Sequence, residues 1–420
     1  MKFTKLSLIA ALAVTTAMAG DAKISGDAKV FYGTTDANNN DLFNKNGAMG
    51  DAALNLTYTK ELSDMVTLNA GVTGISTLGL EGELVSGTWV THGGARTTAG
   101  VDDKIWIDTA NVVLKPIDKT MIVAGRQTLD TPLAFTETWN IAKNTFDAAV
   151  LVDNHIENTT LIGAWVGRGN GQNGYENIDG GMSKYGSLSG HTKNDGQQSA
   201  LRGLGLDIQN NSAFAAAAIT KAIPLTTAQA WYYNVKNQAD AVWLQGDVAA
   251  TKEISVGLQY SKIMPKAAID ATDDTSAVAG KIGYSANGLT LAGAYSEISD
   301  KGLVYMGNTA TGGAHNGQSK LYTDAWWNLG FVGAAGAKTA MVSAAYDMFT
   351  AQYTSVKDGK VYDAANSVYN KIEDMNEFTL TATTKVGPFD TTVALINTDS
   401  KDNSIDGNTV QVYLTAPFSL

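Results

Sequence analysis

The chain has 420 residues, 41 acidic and 30 basic, with a formal net charge of −11 and no cysteine. Such an acidic chain does not seek nucleic acid or anionic lipid, and it can form neither disulfides nor thiolate metal sites. Only 6 prolines occur, and 43 glycines run along the whole length without a Ser/Pro linker. One continuous architecture is therefore expected where a soluble chain this long would form two or three domains.

Residues 1–19 read as an export signal. Lys2 and Lys5 form a short positive region, Leu6 to Val14 is apolar apart from Ser7, and Ala17-Met18-Ala19 is the small-x-small pattern that signal peptidase cuts after. The apolar run is too short to span a bilayer as a helix. The mature chain, 20–420, offers no later run of about 18 consecutive apolar residues, so no helical span is expected in it.

What the mature chain offers is a period of two. Ala22, Ile24, Ala28, Val30 and Tyr32 share one parity, while Lys23, Ser25, Asp27 and Lys29 share the other. Leu54, Leu56 and Tyr58 alternate with Asn55, Thr57 and Thr59, and the pattern returns at Ile254–Tyr260, Val278–Tyr284 and Phe378–Ala382. In water such strands would be half-buried in a sandwich; in lipid their apolar face meets hydrocarbon and their polar face a lumen. Length favours the membrane, since segments of about nine to twelve residues can cross at a tilt. Tyr32, Tyr58, Trp165, Trp231, Trp243, Tyr260, Tyr284 and Tyr295 stand near segment ends, as an interfacial girdle requires.

Short connections are expected on the periplasmic side and long ones outside. The short set is 61–65, 116–119, 154–158, 224–227, 251–253, 287–288, 333–336 and 387–388. The long set is 35–50, 75–102, 128–144, 169–212, 264–275, 298–320, 348–375 and 398–407, with 236–239 as a short external exception. Counting Leu201 to Ile208 as a strand would give 19 and invert everything downstream; placed in a folded external loop, it leaves 18 and puts both termini in the periplasm. The expectation is an all-β, antiparallel transmembrane barrel of 18 strands, with 16 as the fallback, wide enough to enclose water. Val410, Val412, Leu414, Ala416, Phe418 and Leu420 share one parity, so 410–420 reads as a closing strand of the kind the barrel assembly machinery recognises, although its aromatic stands two positions before the end.

Residues 124–153 contain Ala124-Gly125-Arg126-Gln127, Leu129-Asp130-Thr131-Pro132-Leu133 and Asn144-Thr145-Phe146-Asp147. This run resembles the Opr-type porins, which include the OprD-like channels and the major outer-membrane porins of Campylobacter relatives. The resemblance implies an 18-stranded barrel in the outer membrane of a Gram-negative bacterium. It also implies a third external loop, here 128–144, that folds into the lumen and narrows a path for small hydrophilic solutes. Some members of that family prefer cations or basic amino acids.

The candidate constriction follows from charge and parity. Loop 128–144 carries Asp130, Glu137 and Lys143, and Arg126 and Arg168 end the strands around it. Fixed guanidinium groups facing carboxylates would orient polar solutes; the alternative is that both arginines sit at headgroup level and bind lipid phosphate. On the same parities Asp27, Asp147 and Asp153 are expected to face the lumen. The Gly169–Gly174 run matches G-x-G-x-x-G but lacks the following helix that nucleotide binding needs. His92, His155, His191 and His315 lie in separate connections without metal-ligand or triad spacing. The acidic stretches Asp270–Asp274 and Asp399–Asp406 read as solvated loops before they read as Ca²⁺ sites.

The expected function is a water-filled pore for passive diffusion of ions and small hydrophilic solutes, with cation preference. The competing reading is a non-channel surface barrel acting as an adhesin or structural protein. Nothing singles out an enzyme, a cofactor or a metal. Expected partners are outer-membrane lipid and lipopolysaccharide, the assembly machinery through 410–420 and the solutes, with no nucleic acid. Monomer and homotrimer both stay open.

Overall fold

The computed structural model describes residues 22–80, 82–86, 104–139, 141–170, 183–184, 212–236, 239–266, 273–302, 304–311, 317–363 and 368–419. The export signal 1–19 and the 201–208 segment lie outside them.

The barrel strands, in chain order, are β1 (Lys23–Thr35), β2 (Ala48–Ser63), β3 (Val66–Ser76), β4 (Lys104–Ile117), β5 (Thr120–Gln127) and β6 (Phe146–Asp153). Next come β7 (Thr159–Gly169), β8 (Ala213–Thr220), β9 (Thr226–Val235), β10 (Ala239–Val248), β11 (Ile254–Pro265) and β12 (Thr275–Ala286). The last are β13 (Leu289–Ile298), β14 (Lys338–Tyr346), β15 (Phe349–Lys357), β16 (Met375–Val386), β17 (Phe389–Ser400) and β18 (Gly407–Ser419). Each pairs antiparallel with the next, and β18 returns to β1 from Ser25↔Ser419 to Thr35↔Thr409. The ladder is thereby closed at 18 strands, which leaves no row of unpaired backbone groups to face hydrocarbon. A two-residue strand at Ser183–Lys184 extends the external end of β7, and a small hairpin pairs Lys360–Asp363 with Val368–Lys371.

The count agrees with the sequence expectation, but one strand lies elsewhere. Residues 321–332, expected to span, belong to a single long connection between β13 and β14 that contains a 3₁₀ turn at Leu329–Phe331. Conversely, 349–357 lies within the expected external loop 348–375 yet forms β15. Asp347-Met348 is then the tight turn, and only 358–374 connects at the external end. The physical reason is burial on all sides. Leu321, Ala325, Leu329 and Val332 pack inside the barrel, so that run is apolar without a period. In β15, Phe349 and Tyr353 are exposed while Val356 is buried.

The outer face carries the membrane band. Ile24, Val30, Leu54, Tyr58, Leu151, Trp165, Leu258, Tyr260, Tyr284 and Tyr295 are all exposed. Trp231 and Trp243, expected in the girdle, are buried on the inner face as cross-strand partners. No helix among the described residues is long and apolar enough to cross a membrane; the strands do so. The protein is a closed transmembrane β-barrel.

Candidate functional site

Two connections pack across the barrel interior. In the one between β5 and β6, Leu129, Leu133 and Ala134 bury against the inner residues Ala164, Val166, Ala213, Ala241 and Ile263 of β7, β8, β10 and β11. Further along, Ile141 and Ala142, with Trp139, pack on Phe31, Met49, Ala53, Ile75 and Trp106 of β1 to β4. The loop thus touches both walls. In the β13–β14 connection, the backbone N–H groups of Trp326, Trp327 and Asn328 donate to the Glu377 carboxylate at 2.8, 3.0 and 2.8 Å. That carboxylate is buried on β16, and its full set of donors offsets the cost of burying it.

Beside the first loop, the inner wall of β1 to β4 is polar. Asn55 donates to Asp27 at 2.6 Å, Lys29 lies 3.8 Å from Asp27, and the Thr73 hydroxyl stands between Asn55 and Asp108 at 2.6 and 2.5 Å. From the loop, Lys143 reaches Asp108 at 3.7 Å. Asp108 points inward on the parity of Trp106, and a bulge follows it, with Val72 paired to Ile107 and Gly71 to Thr109. A Cβ at position 71 would lie 2.6 Å from the Asp108 carboxylate, so glycine is what lets it approach. Lys29, Asp27 and Lys143 remain about a third exposed. This seam sets two ammonium groups against two carboxylates where the loop meets the wall.

The other expected site residues are distributed differently. Asp130 pairs with Lys320 of the β13–β14 connection at 2.9 Å, and Lys320 lies over the Phe135 ring. Glu137 is buried and accepts from Asn308 at 2.8 Å, from Trp139 at 2.7 Å and from the Thr311 hydroxyl. It joins the two loops to each other and faces no open path.

Arg126, Asp147, Arg168 and Asp153 need correction, because they lie on the outer face. In β6 the buried parity is Phe146, Ala148, Val150 and Val152, and Leu151 is exposed. Asp147 and Asp153 share the parity of Leu151, and Arg126 is the cross-strand partner of Asp147. Arg168 would share the inner parity of Val166, but a bulge between the Asp147↔Arg168 and Ala148↔Val166 pairs turns it outward beside Trp165. The sequence misleads here because the inner wall is the apolar one wherever the loops pack against it. Lys29 was legible from its shared parity with Asp27; Asp108 and Glu377 share the inner parities of Trp106 and Met375, but their partners Lys143 and 326–328 come from the inserted loops, which strand alternation does not place.

No family model matches the chain, and no curated protein matches it. Solved structures do. OccK8 (OprE) of Pseudomonas aeruginosa superposes with a TM-score of 0.70 at 16% identity, covering 95% of this chain and 98% of that one. OccAB1 of Acinetobacter baumannii gives 0.71 at 14%, covering 96% and 99%. The fold is that of the OprD-like outer-membrane porins. OpdK of Pseudomonas aeruginosa, solved with vanillate, gives 0.70 at 13%, covering 95% and 99%. At these identities it is the OprD-like architecture that is shared.

Proposed function

We propose that the protein is a passive channel for ions and small hydrophilic solutes, constricted where the β5–β6 loop meets the wall of β1 to β4. The observation that carries this reading is the seam of Lys29, Lys143, Asp27 and Asp108, polar and partly exposed inside a barrel into which two loops pack. Opposed fixed charges orient a polar solute and offer nothing to an apolar one. Cation preference is part of the proposal: the chain is acidic overall, and the inner wall near the seam adds Asp51 to Asp27 and Asp108.

Single-channel recording in a planar bilayer under a KCl gradient tests it. Discrete conductance steps with a cation-signed reversal potential are expected. A silent membrane would favour a plugged surface barrel with an adhesive or structural role. The same reading takes residues 1–19 as a cleaved export signal and the closing strand β18 as the element the assembly machinery engages. N-terminal sequencing of the mature protein should begin near Gly20.

A further inference from the structure

On the outer surface, at the external ends of β5, β6 and β7, two arginines share one carboxylate. Arg126 Nε lies 2.9 Å from Asp147 Oδ1, and Arg168 Nη2 lies 2.8 Å from Asp147 Oδ2. Arg126 also donates from Nη1 to the Ile107 carbonyl at 2.8 Å. The Arg168 side chain is 54% exposed, and the three groups together carry one net positive charge. An ion pair serving only the barrel would not need the second guanidinium. Nor does the hydrocarbon band tolerate an uncompensated charge beside it.

The surroundings name the ligand. One row below the cluster, toward the membrane centre, the outward residues are Val112, Ala124, Ala149 and Trp165, paired in that order. Ala124 and Ala149 form a shallow floor. Trp165, 43% exposed, stands on one side and Val112 on the other, while Ile107 and Ile105 of β4, 54% and 80% exposed, lie beyond the cluster toward its external end. A strip of two small side chains between Val112 and Trp165 thus leads up to a pair of guanidiniums, which fork onto phosphate oxygens. We propose that Arg126 and Arg168 bind a phosphate of the phosphorylated glycolipid in the external leaflet, with one acyl chain lying along Ala124 and Ala149. Asp147 holds the two guanidiniums in place and keeps the site from being strongly cationic when empty. At the edge of the hydrocarbon the charge is screened less than in bulk salt.

The test uses the full protein in detergent, with bound lipid counted by native mass spectrometry. The probes are bisphosphorylated lipid A, lipid A stripped of both phosphates, and inorganic phosphate. Bisphosphorylated lipid A should bind the wild type about tenfold more tightly than the stripped form, and Arg168→Gln should lose about five- to tenfold, the scale of one charge-assisted contact. Arg168 is the position to change because its exposed side chain leaves the barrel intact; Lys281→Gln, inside the barrel, should bind as the wild type does. Equal binding of the two lipids, or of wild type and Arg168→Gln, overturns the proposal. So does displacement of lipid A by an equal concentration of inorganic phosphate, which would make the site one for free phosphate. A change of subunit number in lipid-free Arg168→Gln would make the patch a protein interface instead. Conductance of Arg168→Gln should equal that of the wild type, so failure here leaves the channel reading untouched.

Discussion

Glu137 Oε1 accepts a hydrogen bond from Asn308 Nδ2 at 2.8 Å, joining two loops whose sequence positions are 171 residues apart. Asn308 also donates to the Phe135 carbonyl at 2.9 Å and accepts from the Phe135 N–H at 3.0 Å, so its amide docks on the first loop as a strand partner would. With Thr311 and Trp139 completing the set on a buried carboxylate, Glu137 is the point where each inserted loop limits the freedom of the other.

Removing that carboxylate should therefore act on both loops at once. Glu137→Ala leaves the donors of Asn308, Thr311 and Trp139 without their shared acceptor, a loss on the order of 3 kcal/mol. Glu137→Gln keeps one acceptor oxygen and should cost less. The expected readouts are a lower melting temperature in detergent and larger, noisier single-channel conductance. Wild-type values of both in Glu137→Ala would show that the loops are held by their apolar contacts alone.

The barrel was legible because lipid imposes its own code: outer residues must be apolar, strands must cross and the ladder must close. The inner face carries no such uniform code. Where a loop packs on it, as at Phe146, Ala148 and Val150, it is as apolar as the outside. Parity then loses its sign, and Asp147 is read as facing the wrong way. Bulges add a second ambiguity, since the bulge beside Arg168 and the one after Asp108 each shift the period by one residue. Residues 321–332 fail for a third reason. A segment buried by the interior of its own barrel has as many apolar residues as a strand and none of its alternation.

That relocation is open to test from outside the cell. Lys371 lies on the small hairpin beyond β15, whereas Asp347 sits in the two-residue turn between β14 and β15. A membrane-impermeant maleimide added to intact cells should label Lys371→Cys and leave Asp347→Cys and Gly288→Cys unmodified. Labelling of Asp347→Cys would mean that 347–348 faces outward and that the chain crosses once more upstream.

The β13–β14 connection should also respond to pH. Burial pushes the Asp324 carboxyl up to about 8, although it accepts from the Ser319 N–H and hydroxyl, and Glu137 nearby adds to the rise. A folded state that favours the protonated carboxyl holds a proton which the unfolded chain releases, so stability falls as pH rises from about 4 to 8 and levels off above that. Melting in detergent between pH 5 and 9 should show this decline. Asp324→Asn should flatten it while remaining folded. A slope of opposite sign, or one unchanged by Asp324→Asn, would remove Asp324 as its source.

Ion selectivity should be decided at the seam, and the placement of charges changes which substitutions matter. Asp130 is engaged by Lys320 and Glu137 is buried, so neutralising that pair should move the reversal potential little. Asp27 and Lys29 sit on the wall, about a third exposed, and Lys143 faces them from the loop. A low-dielectric wall focuses the field of such groups into the narrow passage, while charges on external loops are screened within about 8 Å at physiological salt. Asp27→Asn should thus shift the reversal potential in a KCl gradient toward anions. Lys29→Gln with Lys143→Gln should shift it toward cations, and both effects should shrink as ionic strength rises. Arg126→Ala, altering a residue on the outer face, should leave selectivity unchanged. If the lysine pair can be removed without moving the reversal potential while Asp130→Asn moves it strongly, the conduction path runs past Lys320 on the far side of the loop, and the constriction is there.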